Sequence, residues 1–320
     1  MRNSCSFFAL LLLYFSCGSA PITGDDADRV ASAGATNIRM ARATAAGGWE
    51  AVEAVTRDPD HLGQEIPFKY QMEGPAWENE NVGFRMYWDE RNGIDIFGKR
   101  VRHMVLDSVG INRADGKDQN YHELADWGMD VLKVGNSLGA GSIGLMVGDS
   151  AYRLGDVREE TYRLLEEGPE GSRFLLTYRG WLVAGRELDV DWEISIVPGT
   201  WGYESSVTVA GLQGGEELIT GIVNLHSDTV YTKTTSGRYV MYTYGPQAEL
   251  DNVLGMAISA DEDAVAGAGE FAAGAEPIAS TYYLRLKLRD GMPATYRFTA
   301  GWEPGHAAFA DRAAFEAAIY

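Results

Sequence analysis

Along most of this chain apolar and polar residues alternate with the period of two that a half-buried strand requires. Leu188, Val190, Trp192, Ile194 and Ile196 share one face of a run whose other face carries Asp189, Asp191, Glu193 and Ser195. Tyr282, Leu284, Leu286 and Leu288 likewise stand opposite Arg285 and Lys287. Such runs predict strands at Phe68–Met72, Val82–Trp88, His103–Val109, Ser142–Val147, Glu160–Leu165, Arg173–Trp181 and Leu188–Val197. Further strands are predicted at Tyr203–Val209, Leu218–Leu225, Arg238–Thr243, Val253–Ser259, Thr281–Leu288 and Thr295–Trp302. Turn signals such as Pro198-Gly199, Gly214-Gly215 and Asp290-Gly291 separate them. Only Ala307–Ile319 reads as a helix, with Phe309, Ala313, Phe315 and Ile319 near helical spacing. No repeat and no interdomain linker interrupts the chain after residue 48. So many strands in one unit predict an all-β fold, a large antiparallel β-sandwich with long loops on one side and one C-terminal helix.

The start of the chain has another texture. Arg2 precedes an apolar run, Phe7 to Phe15, that is too short to span a bilayer, and Gly18, Ser19 and Ala20 follow it. This pattern predicts a secretory signal over residues 1–20, with cleavage at Ala20 or, on a poor lipobox, lipidation of Cys17. Residues 21–48, rich in Ala, Gly, Asp and Arg, read as a flexible leader, which leaves 49–320 as one domain. The expected location is the periplasm, or the cell surface or outer membrane if Cys17 carries a lipid. Cys5 and Cys17 are the only cysteines, so no disulfide, thiol nucleophile or thiolate zinc site is expected downstream.

The net charge of −19 makes nucleic acid and anionic membrane poor partners, apart from the possible anchor. Cations are concentrated in one place: Arg85, Arg91, Lys99, Arg100, Arg102 and His103 lie among Asp89, Glu90 and Asp95. A salt-bridged strand pair explains them as well as a substrate-binding patch does. Residues 121–146 gather His122, Glu123, Asp126, Trp127, Asp130, Lys133 and Asn136 among five glycines, without strand or helix periodicity. Ionisable groups packed into a shaped glycine-rich loop mark a candidate site, although caps and staples of the fold use the same residues.

Two long stretches carry a resemblance. They are Glu73-Gly-Pro-Ala-Trp-Glu-Asn-Glu-Asn-Val-Gly-Phe-Arg-Met-Tyr-Trp-Asp-Glu-Arg-Asn-Gly-Ile-Asp-Ile-Phe-Gly-Lys99 and Tyr121-His-Glu-Leu-Ala-Asp-Trp-Gly-Met-Asp-Val-Leu-Lys-Val-Gly-Asn-Ser-Leu-Gly139. With the closing Gly301-Trp302-Glu303 and the terminal helix, they resemble a bacterial exported family catalogued as a domain of unknown function, DUF4861, over residues 65–320. The resemblance implies company with enzymes that break down uronic-acid polysaccharides of algae and plants. It also implies a supersandwich like that of galactose mutarotases and several polysaccharide lyases and, less directly, removal of water from a uronic-acid sugar in an oligosaccharide.

β-Elimination on a uronate needs a neutralised carboxylate, a base for the C5 proton and an acid for the group leaving C4. His122, in the loop, and His226, where an apolar strand runs into Ser227 and Asp228, are the base candidates, because histidine titrates near neutrality. Tyr87 and Arg85 alternate on one strand and so share a face, which suits acid chemistry and a carboxylate grip, or equally a packing pair. Lys133, Asn136 and Asp126 are candidates for sugar hydroxyls or the carboxylate, and Trp127 and Trp88 for stacking on a pyranose, although Trp is more often core. No cofactor is expected. The spacing of His122, Asp126 and Asp130 matches no metal motif closely, so a divalent cation stays a weak alternative. Serine-hydrolase, phosphate-loop, zinc-protease and dinucleotide signatures are absent or lack their context. The sequence therefore points to a carbon–oxygen lyase or dehydratase on uronic-acid oligosaccharides, with a mutarotase or epimerase and a non-catalytic glycan-binding protein as the rival readings.

Overall fold

A computed structural model describes residues 36–57, 69–111 and 121–319. The expected signal, Cys17, Ala20 and the leader up to residue 35 lie outside them. In chain order the strands are β1 (Thr36–Arg39), β2 (Ala41–Ala43), β3 (Trp49–Ala51), β4 (Ala54–Thr56), β5 (Ala76–Asn79), β6 (Val82–Met86) and β7 (Ile94–Lys99). There follow β8 (Gly128–Asp130), β9 (Ala140–Val147), β10 (Ser150–Arg153), β11 (Glu159–Glu166), β12 (Ser172–Val183), β13 (Arg186–Ile196) and β14 (Gly202–Ala210). The last are β15 (Glu216–Val223), β16 (Tyr231–Thr235), β17 (Arg238–Pro246), β18 (Val253–Asp261), β19 (Val265–Phe271), β20 (Thr281–Lys287) and β21 (Pro293–Trp302), before the helix α1 (Arg312–Ala318).

The fold is an all-β sandwich with a C-terminal helix. One layer is a nine-stranded sheet in the order β16-β17-β18-β21-β14-β13-β12-β11-β4. The other consists of two five-stranded sheets, β1-β5-β6-β7-β8 and β10-β9-β15-β20-β19, which meet at a parallel bridge between Ile94 and Gly139. All strand pairs within the named sheets are antiparallel. Period-two alternation decides what goes inside. On β13 the residues Leu188, Val190, Trp192, Ile194 and Ile196 are buried, as the sequence predicts. They join Trp77, Phe84 and Ile96 of one small sheet and Leu145, Leu218 and Leu284 of the other in a single core. Each such side chain contributes about 1.5–3 kcal/mol when fully removed from water.

Three expectations are corrected. Thr36–Arg39 is no leader: it pairs with β5 and is largely buried, held by Thr36 hydroxyl bonds to Gly168 and Ser172. His103–Val109 forms turns rather than a strand, because the Glu78 carboxylate takes the N–H groups of Val105 (2.6 Å) and Leu106 (2.8 Å) that a ladder would use. Residues 69–72 of the expected strand Phe68–Met72 form an isolated bridge and a one-turn helix. The terminal helix also differs from its expected span. Asp311 has extended backbone and its side chain accepts from Ala313 N–H, capping α1 and separating it from the single turn Ala307–Ala310.

Candidate active site

Strands β6, β7 and β8 have a second face. While Phe84, Ile96 and Met129 enter the main core, Arg85, Asp95, Phe97, Lys99 and Asp130 point outward. The turns of residues 101–109 and the segment around Tyr121 cover this outer face with a smaller core of Met72, Phe97, Val105, Leu106, Val109 and Tyr121. Lys99 and Glu78, 2.5 Å apart and fully buried, fasten that cover to the sheet. The charged residues of the 85–103 segment are therefore partly interior, and they assemble around one of their number.

Arg85 is 0% exposed and faces three carboxylates: Glu73 at 2.9 Å, Asp95 at 3.0 Å and Asp130 at 3.1 Å. Its Nη1 also donates to Tyr121 Oη and the Met72 carbonyl, and its Nη2 to Tyr87 Oη. Glu73 reaches this position because Met72 and Glu73 both adopt left-handed backbone, φ 55° and 64°, which is costly for non-glycine residues and is held here by the surrounding contacts. Tyr87 donates to Asp95 at 3.0 Å, and its ring lies between the guanidinium groups of Arg85 (4.1 Å) and Arg91 (4.0 Å). Arg91 is anchored by Asp89 at 2.5 Å and stands 3.8 Å from Glu73. At the edge of the cluster His122 Nδ1 is 3.1 Å from Asp130 Oδ2, with 60% of the histidine side chain exposed.

The electrostatics follow from this packing. Burial works against the Arg85 charge, but Tyr87, Tyr121, Asp95 and Asp130 raise its pKa well above the usual value. Burial and the facing Asp130 hold Asp95 well above the carboxylate range. Burial also raises Tyr87, against the pull of Arg85 and with the help of Asp95, and pushes Tyr121 up to about 12. Both phenols therefore keep their protons at neutral pH. A negative charge developing on Tyr87 Oη would meet the guanidinium of Arg85 at once.

The sequence candidates divide. Arg85, Tyr87 and His122 come together, with Asp130 between Arg85 and His122. The expected carboxylate grip by Arg85 fails, because its terminal nitrogens are committed inside the cluster. Trp88 is fully buried edge-on against Tyr70 and offers no stacking face. Trp127 is half-buried against Phe97. Asp126, Lys133 and Asn136 are exposed, and the Asn136 carbonyl accepts from Arg153 and Ala279. His226 lines a separate recess of about 500 Å³ with Asn224, Tyr244 and Gln247. Sequence reasoning missed Glu73, whose place depends on its unusual backbone, and the convergence of Tyr121 and Asp95 on Arg85. The alternation of Arg85 with Phe84 and Asp95 with Ile96 was the available signal. Among the described residues no group of three or more His, Cys, Asp or Glu side chains could hold a metal ion.

Comparison with known families finds a match, over residues 27–320, to the family described as a domain of unknown function, DUF4861. No curated protein matches the chain.

Proposed function

The chain belongs to the DUF4861 family, and we propose that it is a carbon–oxygen lyase or dehydratase acting on uronic-acid-containing oligosaccharides, with the Arg85 cluster as its active site. The observation that supports this reading is the contact of exposed His122 with Asp130, on the carboxylate that also holds Arg85 beside Tyr87. Asp130 accepts from Nδ1 and so places the basic lone pair on Nε2, the arrangement of an oriented general base. In the elimination His122 takes the C5 proton, the C–H electron pair forms the C4=C5 double bond, and the C4 substituent leaves with the Tyr87 proton. Arg85 is a positioning residue that stabilises the resulting phenolate. Arg91, partly exposed beside the Tyr87 ring, is the cation placed to meet the uronate carboxylate. Export, to the periplasm or to the surface through a lipid on Cys17, belongs to the same proposal and rests on the sequence alone.

The test is incubation with saturated and unsaturated uronic-acid oligosaccharides, following ultraviolet absorbance of the new double bond and product mass. Loss of one water identifies a dehydratase, and chain cleavage a lyase. His122→Ala and Tyr87→Phe should each lower turnover by about 10²–10⁴-fold while oligosaccharide binding persists. Binding with no change in absorbance or mass for any substrate would overturn elimination and leave the epimerase and glycan-binding readings.

A further inference from the structure

On the far side of the sandwich, the outer face of the nine-stranded sheet holds a cleft of about 480 Å³, within the range of small-molecule sites. Its floor is a polar row across three strands: Ser195 of β13 is the register partner of Glu204 of β14, which pairs in turn with Arg297 of β21. Glu204 and Arg297 form an exposed ion pair at 3.0 Å, so the row carries no net charge. Trp201 makes one wall, its ring braced by Phe309 at 4.6 Å and His306 at 5.1 Å, and Ala318 and Ile319 contribute an apolar border. Trp201 and the side chains of Ser195 and Thr299 bring an indole N–H and two hydroxyls to the same cleft.

We infer that this cleft is a second carbohydrate site, separate from the Arg85 cluster, and that it takes a neutral pyranose unit. A braced indole suits the apolar C–H face of a sugar ring. The hydroxyls and indole N–H that line the cleft, beside an ion pair with spare donors and acceptors, suit its equatorial hydroxyls. The balanced charge of the floor gives no advantage to a uronate, which distinguishes this cleft from the site that the elimination chemistry requires. The proposal does not depend on that chemistry: it needs binding, not turnover.

Isothermal titration with methyl glucoside, methyl xyloside and methyl rhamnoside, and with glucuronate as the charged control, tests it. At least one neutral glycoside should bind saturably, with unchanged affinity in His122→Ala. Trp201→Phe, which removes the N–H but keeps an aromatic ring, and Thr299→Val, which keeps the shape, should each weaken it about tenfold or more. Absence of saturable binding by all three glycosides would overturn the inference. So would a preference for glucuronate over methyl glucoside that Trp201→Phe abolishes, or binding that survives in a folded Thr299→Val variant and disappears in His122→Ala.

Discussion

Arg85 shows how one residue can organise a site without touching a ligand. Among the described residues Arg85 forms ion pairs with Glu73, Asp95 and Asp130, so Arg85→Met removes the cation at their centre. Loss of one partner from a buried ionic group costs about 3–5 kcal/mol, and urea unfolding of the variant should show a loss of that order. Glu160 presents the opposite case. It is fully buried with Arg57 at 2.8 Å, and burial still pushes its pKa up to about 8. The unfolded chain releases that proton near the ordinary glutamate value of about 4.3. Between those two values the folded state binds the extra proton, so the protonated acid's contribution to stability is complete below the lower one and is lost as pH rises to the upper. Melting curves should therefore show Glu160→Gln gaining on the parent protein as pH rises through this window, and a constant difference across it would refute the raised pKa. The sequence revealed that Arg85 and Tyr87 share a face, because alternation along a strand is local. It hid the three carboxylates, two of which come from other strands and one from a left-handed turn.

At the scale of elements, long alternating strands such as β12 and β13 were legible, because each carries its own contrast between a core face and a solvent face. Strands β5 to β8 were harder to read, since both their faces are buried and the alternation is of apolar with charged interior residues. The terminal helix was legible by its aromatic spacing, and its docking has a clear cause. Gly255 of β18 and Gly301 of β21 are register partners, and the Phe315 ring lies so close over both that a Cβ on Gly255 would come within 2.6 Å of it. Gly255→Ala forces the ring off its seat and should cost about 1–3 kcal/mol. Phe315→Ala, which empties the notch, should cost about 3–5 kcal/mol. Thermal unfolding of the two variants would check both figures. A null effect of Gly255→Ala would mean that the helix is not held by this notch.

At the scale of the molecule, one main core draws side chains from the nine-stranded sheet and both five-stranded sheets, so the layers have little independent stability. Far-ultraviolet circular dichroism and tryptophan fluorescence should report a single coincident transition in denaturant, and separated midpoints would show that a sheet unfolds alone. The class of fold was legible from strand count and turn spacing. The division of one layer into two sheets was not, because it depends on a crossing near Ile94 and Gly139 that no local pattern announces. The alternation of β6 and β7 also has a consequence for heredity. Core residues Phe84, Met86 and Ile96 are interleaved with Arg85 and Asp95 of the cluster, one for one. Deleting a single codon within these strands would exchange the two sets and drive the charges into the main core. Lineages of this protein should therefore reject length changes within β6 and β7.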